Sequence, residues 1–366
     1  MKKIKELKLK EHLLTAISYL IPIVCGAGFL IAIGMAFGGS SQASLVQGEF
    51  SIWDALATMG GAGLGLLPVV ISTGISYSIA GKPGIAPGFI IGLTANAIGA
   101  GFIGGILGGY MAGYLVMAIL KYLKVPAWAK GLMPTLIIPF ISAIVGGLVM
   151  VYIIGAPIAA LTSALTSFLS GLSNSSLLVF GGVIGLLSGV DYGGPINKTV
   201  FAFVLTLQAE GLNGPITALQ LVNTATPIGF GLAYFIAKLF HKNIYSKVEV
   251  EALKSAVPMG VINIVEGVIP IVMNDLVRGI VATAIGGFVG GATTMILGAD
   301  ATVPFGGVLM IPTMSKPWAG VIALIVNIIV TGVVLAVIKK NVPEEEMLLE
   351  KEAEEEEINL DDIQIF

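Results

Sequence analysis

The chain has 366 residues, of which 56% are hydrophobic and 11% are charged. Soluble domains average about 25% charged residues, so this composition excludes an ordinary soluble fold and predicts an all-α polytopic membrane protein. The net charge of −3 is the sum of two unlike parts. Residues 1–343 carry more Lys and Arg than Asp and Glu, whereas residues 344–366 hold eleven acidic residues and one lysine. The single cysteine, Cys25, excludes an internal disulfide framework and a cysteine metal cluster. We expect no metal and no cofactor.

Apolar runs long enough to cross a bilayer as helices, near twenty residues, recur along the chain. The long runs lie at 13–38, 60–80, 101–123, 134–156, 176–190, 219–238, 279–298 and 318–338. Shorter runs that Gly or Pro interrupts lie at 84–98, 199–209, 256–273 and 301–314. Together they predict about ten transmembrane helices, with some of the broken runs forming re-entrant hairpins.

Residues 158–175 carry apolar side chains at helical spacing and a Ser/Thr-rich opposite face. This pattern predicts an interfacial amphipathic helix, and 50–59 is a second candidate for the same position.

Lysines precede the first long run and follow the last one, whereas 39–53 contains neither lysine nor arginine. Because cytoplasmic loops carry the excess of Lys and Arg, this distribution predicts a multi-pass protein of the cell membrane with both termini cytoplasmic. The domain division is then a cytoplasmic N-terminus over 1–12, a membrane domain over 13–340 and an acidic cytoplasmic tail over 341–366.

Glu266 is the acidic residue that fits a membrane environment least well, because it stands in a short, broken apolar run. A carboxylate at membrane depth faces protein, water or a ligand. A sugar hydroxyl is a natural ligand, since a carboxylate accepts its O–H strongly. The alternative is a structural role, with a backbone N–H or Arg278 as the partner.

The stretch from Asp191 to Lys198 is a second candidate site. Gly193, Gly194 and the proline that follows them force irregular backbone, which survives at membrane depth where it lines a cavity or is buried in protein. Asp191, Asn197 and Lys198 offer a carboxylate, an amide and an ammonium group, which suit a polyhydroxyl substrate and an arriving phosphate. The alternative is an ordinary cytoplasmic turn. A weaker candidate is Asn96, which follows the breaker cluster 81–88.

Four segments resemble, in this order and spacing, the fructose-family enzyme IIC, the membrane sugar permease of phosphotransferase systems in the glucose–fructose–lactose superfamily. The likeness covers roughly 10–340, and its four segments are 12–22, 76–88, 193–198 and 266–270.

The resemblance implies a homodimer that binds a hexose, most often fructose, outside the cell and presents it in the cytoplasm by an elevator-like movement. A phosphocysteine on a IIB protein then phosphorylates the sugar, with phosphate supplied from phosphoenolpyruvate through enzyme I, HPr and IIA. Cys25 lies in a predicted span, so IIA and IIB are expected on separate chains. Nucleic acid is not an expected partner.

The resemblance places Glu266 in the motif whose glutamate contacts the sugar. Related permeases also use a histidine near the sugar, but His12 and His241 lie outside the predicted spans. The general base is therefore predicted to be Glu266 first and Asp191 second. The predicted substrate-binding residues are Glu266, Gly267, Asp191, Gly193, Gly194, Asn197, Lys198 and Asn96.

Two other functions fit the same residues. An ion-coupled secondary sugar transporter would use Glu266 as a proton site. A sugar-sensing membrane protein would bind the sugar without transporting it. The absence of a Walker sequence leaves direct use of ATP unsupported.

Overall fold

The computed structural model describes residues 8–42, 50–171 and 174–342, and these residues form helices and no β-strand. The α-helices are α1 (Leu9–Ala36), α2 (Ile52–Gly65), α3 (Leu67–Ala80), α4 (Ile85–Ala97), α5 (Gly101–Tyr122), α6 (Ile138–Val149), α7 (Gly155–Ser170), α8 (Asn174–Gly189), α9 (Pro195–Ala209), α10 (Asn213–Leu239), α11 (Lys247–Val261), α12 (Ile269–Val272), α13 (Leu276–Leu297) and α14 (Pro317–Ile338). The predicted acidic tail from 343 onward and residues 1–7 lie outside the described residues.

Six helical stretches among the described residues are long and apolar enough to cross a membrane. They are Leu9–Ala36, Gly101–Tyr122, Ala127–Ile158, Asn213–Leu239, Leu276–Leu297 and Pro317–Ile338. A seventh candidate is the pair α2 and α3, which is bent by 45°. The protein is thus a multi-pass helical membrane protein, as its composition predicts. About ten crossings, re-entrant hairpins and an interfacial position for 158–175 stay predictions.

The sequence prediction differs from the structure most at its second long run, 60–80. This run is two helices that meet at Leu66 rather than one straight span. The cause is Pro68 in the first turn of α3, which lacks the N–H that a continuous helix would bond to the carbonyl of Leu64 in α2. The α2 helix begins independently, because Ser51 and Asp54 form a reciprocal capping box at its N-terminus.

The chain divides into two compact units, and the division falls within α9 and α10. Unit 1 comprises 1–173, 201–216 and 301–313, as far as they are described. In this unit, α3 is tied to α4 by the side chains of Ser72 and Ser76, which donate to the carbonyls of Gly88 and Gly84 at 2.7 Å. Hydroxyls that bond neighbouring backbone in this way satisfy polar groups that lipid cannot.

Unit 2 comprises 174–200, 217–300 and the described part of 314–366. Here α8 and α13 pack with their backbones in close approach at Gly185 and Gly287, and again at Gly181 and Gly291. A Cβ atom at any of these positions would collide with the facing helix. Small residues at such contacts replace the hydrophobic driving force that is missing in lipid. The tight pair fixes the C-terminal end of α8, from which the 190–194 segment leaves.

Candidate sugar-binding site

Two segments of irregular backbone form the candidate site in unit 2. The first, 190–194, joins α8 to α9 and contains Tyr192 (φ 49°) and Gly193 (φ 84°). The second, 262–268, follows α11 and contains Asn263 (φ 69°) and a 3₁₀ turn over Val265–Val268. Left-handed backbone at Tyr192 and Asn263 is uncommon for residues other than glycine, and such backbone persists where surrounding contacts hold it.

The two segments meet at Gly193 and Glu266. A Cβ atom built on Gly193 would lie 2.5 Å from Oε1 of Glu266 and 2.9 Å from its Cδ. Only a glycine therefore leaves room for the carboxylate at this point. Gly193 and Glu266, which the sequence analysis predicts as parts of one sugar-binding site, are therefore neighbours in the structure.

The carboxylate of Glu266 is exposed. Among the described residues it has no hydrogen-bond or ion-pair partner. Arg278, the structural partner considered from sequence, is engaged instead by Asp275 at 3.0 Å. A carboxylate without a protein partner, in a protein of this apolar composition, is available to a ligand.

Asp191 has a structural function that the sequence hypothesis did not assign to it. Its carboxylate accepts hydrogen bonds from the backbone N–H groups of Ile196 at 2.5 Å and Asn197 at 3.0 Å, in the first turn of α9. These N–H groups have no partner within the helix, so the carboxylate caps it. Gly194 fits the same turn, because a Cβ there would lie 2.8 Å from the Asp191 carboxylate. A catalytic role for Asp191 stays a prediction.

One turn of α10 holds the start of α9 and the second irregular segment through buried side chains. The amide of Asn197 donates to Oδ1 of Asn223 at 2.8 Å. The side chain of Asn263 donates to Gln220 and accepts from Thr224 at 3.0 Å. Residues three and four positions apart share a helix face, so this single turn holds both the first turn of α9, which follows the 190–194 segment, and the 262–268 segment.

These anchoring residues were missed in the sequence reasoning. A signal for them exists, because Gln220, Asn223 and Thr224 interrupt an otherwise apolar run with polar side chains at helical spacing. Buried amides in a membrane helix need partners, which points to a polar contact.

The phenol of Tyr192 fixes the first segment against α13. It is buried and shares a hydrogen bond with Thr283 at 3.1 Å, and Thr283 donates in turn to the carbonyl of Gly189 at 2.6 Å. Burial raises the pKa of Tyr192, because a phenolate would lose its hydration.

The other predicted site residues have different surroundings. Lys198 is half-buried in the first turn of α9. Gly267 packs on α11, where a Cβ would lie 3.0 Å from Cα of Ala256, so close packing accounts for this glycine. Asn96 belongs to unit 1, at the C-terminal end of α4, and lines a cavity there.

An exposed carboxylate without a protein partner, at the contact of two broken segments in a multi-helix membrane domain, is typical of a membrane transport protein. Comparison with known proteins gives the particular family. The chain is 34% identical over 354 residues to the PTS system fructose-specific EIIC component of Haloferax volcanii, covering 91% of this chain and 92% of that protein. It is 30% identical over 330 residues to the fructose-like permease IIC component 2 of Escherichia coli K12, covering 90% of each.

A third relative, the PTS system fructose-specific EIIB'BC component of Rhodobacter capsulatus, is 37% identical over 338 residues, which are 92% of this chain and 57% of that protein. No family model and no solved structure matches the chain. This chain belongs to the family of fructose-specific EIIC components of the phosphotransferase system.

Proposed function

We propose that this protein transports a hexose, with fructose as the first candidate, by group translocation that phosphoenolpyruvate drives. The sugar binds at the Glu266–Gly193 contact of unit 2 and is phosphorylated from the cytoplasm by a phosphorylated IIB partner, itself supplied by IIA. The observation that carries this proposal is the exposed, partnerless carboxylate of Glu266 beside a glycine that leaves room for it. The names of the relatives support the substrate and the energy source.

Recognition of the sugar follows from the chemistry of these groups. The two oxygens of Glu266 accept hydrogen bonds from sugar hydroxyls, and bonds to an ionised acceptor are roughly twice as strong as neutral ones. The backbone at Gly193 can approach the sugar closely because no side chain intervenes. Lys198 stands in the first turn of α9, where its charge favours an arriving phosphoryl group.

In the transfer step, a sugar hydroxyl oxygen attacks the phosphorus of the IIB phosphocysteine. An O–P bond forms as the S–P bond breaks, the cysteine leaves as a thiolate, and the hydroxyl proton passes to the Glu266 carboxylate. Phosphoryl transfer depends mainly on positioning and charge stabilisation. A general base adds a factor of about 10²–10⁴.

The division into two units supports an elevator-like movement, because the candidate carboxylate and both loops that hold it belong to one unit. A homodimer with both termini in the cytoplasm is part of the same proposal.

The energy source provides the decisive experiment. Membrane vesicles that contain this protein receive radiolabelled fructose with phosphoenolpyruvate, enzyme I, HPr, IIA and IIB. Group translocation yields fructose phosphate, requires phosphoenolpyruvate and tolerates a protonophore. Accumulation of free sugar that a protonophore abolishes would establish ion-coupled transport in its place, and binding without any accumulation would establish a sensor.

A further inference from the structure

Unit 1 contains a cavity of about 350 Å³ whose lining residues all belong to that unit. It lies beside the break between α2 and α3, and three polar side chains line it: Asn96 of α4, Gln208 of α9 and Thr302. We propose that this cavity is a second subsite for the unphosphorylated hexose, built by unit 1 alone. This inference rests on the proposed function, because it takes the transported sugar as the ligand.

The polar groups of the cavity suit sugar hydroxyls. Carboxamides and a hydroxyl both donate and accept hydrogen bonds, as each sugar hydroxyl does. Among the described residues, the side-chain amide of Asn96 has no hydrogen-bond partner, and this residue is exposed at the cavity. The side chain of Gln208 donates to the carbonyl of Thr302 at 3.3 Å, which is long for such a bond. A sugar hydroxyl can therefore replace that bond at little cost.

The remaining walls fit the apolar face of a sugar ring. Pro68 and Leu205 present C–H groups between the polar side chains. The volume stands near the lower end of the range of small-molecule pockets, about 300–1,000 Å³. A monosaccharide fits this space better than a glycoside of several rings.

The charge of the cavity favours the substrate over the product. No lysine or arginine is among its lining residues. A sugar phosphate would therefore find no counter-charge in the lining, whereas a neutral sugar needs none. The subsite therefore holds sugar before phosphorylation and raises its local concentration.

The test uses the purified full-length chain and radiolabelled fructose in equilibrium dialysis. We expect two binding components in the wild-type protein. The double variant Asn96→Leu/Gln208→Leu should lack the weaker component, whereas Glu266→Gln should weaken the tighter one. Thr94→Val is the matched control on α4, because the Thr94 hydroxyl bonds only to its own helix at the carbonyl of Ile90.

Uptake provides a second readout. The double variant should need a fructose concentration about three- to tenfold higher for half-maximal uptake, as expected for lost hydrogen bonds. If that variant does not fold, the single variant Gln208→Met keeps the length of the side chain, removes its hydrogen-bonding groups and should lack the same weaker component.

The outcomes separate this inference from the proposed function. A single binding component that Glu266→Gln weakens, and that the cavity variants leave unchanged, would overturn the second subsite and leave the proposed function intact. Failure of the wild-type protein to bind any hexose would overturn both.

Discussion

Asn197 and Asn223 are joined side chain to side chain at 2.8 Å, and this contact fixes the first turn of α9 to the middle of α10. The same Asn197 amide also donates to the carbonyl of Ser188 at 2.8 Å. One buried amide thus holds the end of α8, the start of α9 and α10 in register. The 191–194 turn beside Glu266 depends on that register.

Replacing Asn223 with leucine should therefore impair sugar binding although the residue has no assigned contact with the sugar. The change leaves the Asn197 amide with one acceptor fewer, which costs about 1–3 kcal/mol when the group is buried. We expect a higher fructose concentration for half-maximal uptake and a lower unfolding temperature. Thr226→Val is the control, because the Thr226 hydroxyl bonds only within α10, to the carbonyl of Val222. Unchanged uptake by Asn223→Leu would refute the anchoring role.

Gly193→Ala tests the contact between the two irregular segments. The new methyl group would meet the Glu266 carboxylate, and alanine is disfavoured at φ 84°. Gly211→Ala is a matched control, since Gly211 has the same φ of 84° and nothing within 4 Å of an added Cβ. Both changes carry the backbone strain, about 1–2 kcal/mol, but only Gly193→Ala should abolish sugar binding. Equal binding losses in the two variants would assign the effect to strain alone.

Glu266→Gln tests the chemistry of the carboxylate. The amide keeps the shape of the side chain but accepts hydrogen bonds less strongly and cannot take the hydroxyl proton, so the rate of sugar phosphate formation should fall by about 10²-fold or more. Glu251→Gln is the control, because Glu251 is exposed and pairs with Lys254 on the surface of α11. The measurement is the phosphoenolpyruvate-dependent formation of fructose phosphate in vesicles. A near wild-type rate would remove Glu266 from the mechanism.

The long helices were predictable because a bilayer imposes one strong rule on sequence, a run of apolar residues long enough to span it. Six of the eight long runs correspond to single candidate spans in the structure. The rule does not predict where a run is divided, as at Leu66. Proline is tolerated inside some membrane helices and ends others, so the presence of Pro68 alone does not decide the matter. The run at 176–190 is the shorter apolar helix α8, which ends at Gly189 because the irregular 190–194 segment begins there.

The irregular segments of the site were predictable from the sequence, but the side-chain hydrogen bonds from α10 to the start of α9 and to the second segment were not. Glycine and proline clusters mark broken backbone in the sequence, so Gly193 and Glu266 could be proposed together. The amide contacts from α10 join residues 26 and 43 positions apart, and nothing in local sequence specifies such pairs. The capping role of Asp191 was within reach, because an acidic residue shortly before Pro195 is typical of a helix start.

Lys339 is one of the lysines after the last long run, which the sequence analysis used only to orient the chain in the membrane. In the structure it also forms a buried ion pair. Its ammonium lies 2.7 Å from the Glu249 carboxylate, and both side chains are buried, with 7% and 3% of their residue surfaces exposed. The ammonium also donates to the carbonyl of Ile244 at 2.8 Å and lies 4.6 Å from the centre of the Tyr245 ring. These contacts tie the end of α14 to the segment that leads into α11.

Lys339→Met should destabilise unit 2 strongly, because it leaves the Glu249 carboxylate buried without its counter-charge, at a cost of about 3–5 kcal/mol. The double variant Lys339→Met/Glu249→Gln removes both charges and should recover much of that loss. Lys340→Met is the control, since Lys340 is the adjacent residue and is exposed. Thermal unfolding of the purified protein measures all three. A double variant no more stable than Lys339→Met would show that packing of the lysine stem, rather than charge pairing, holds this end of α14.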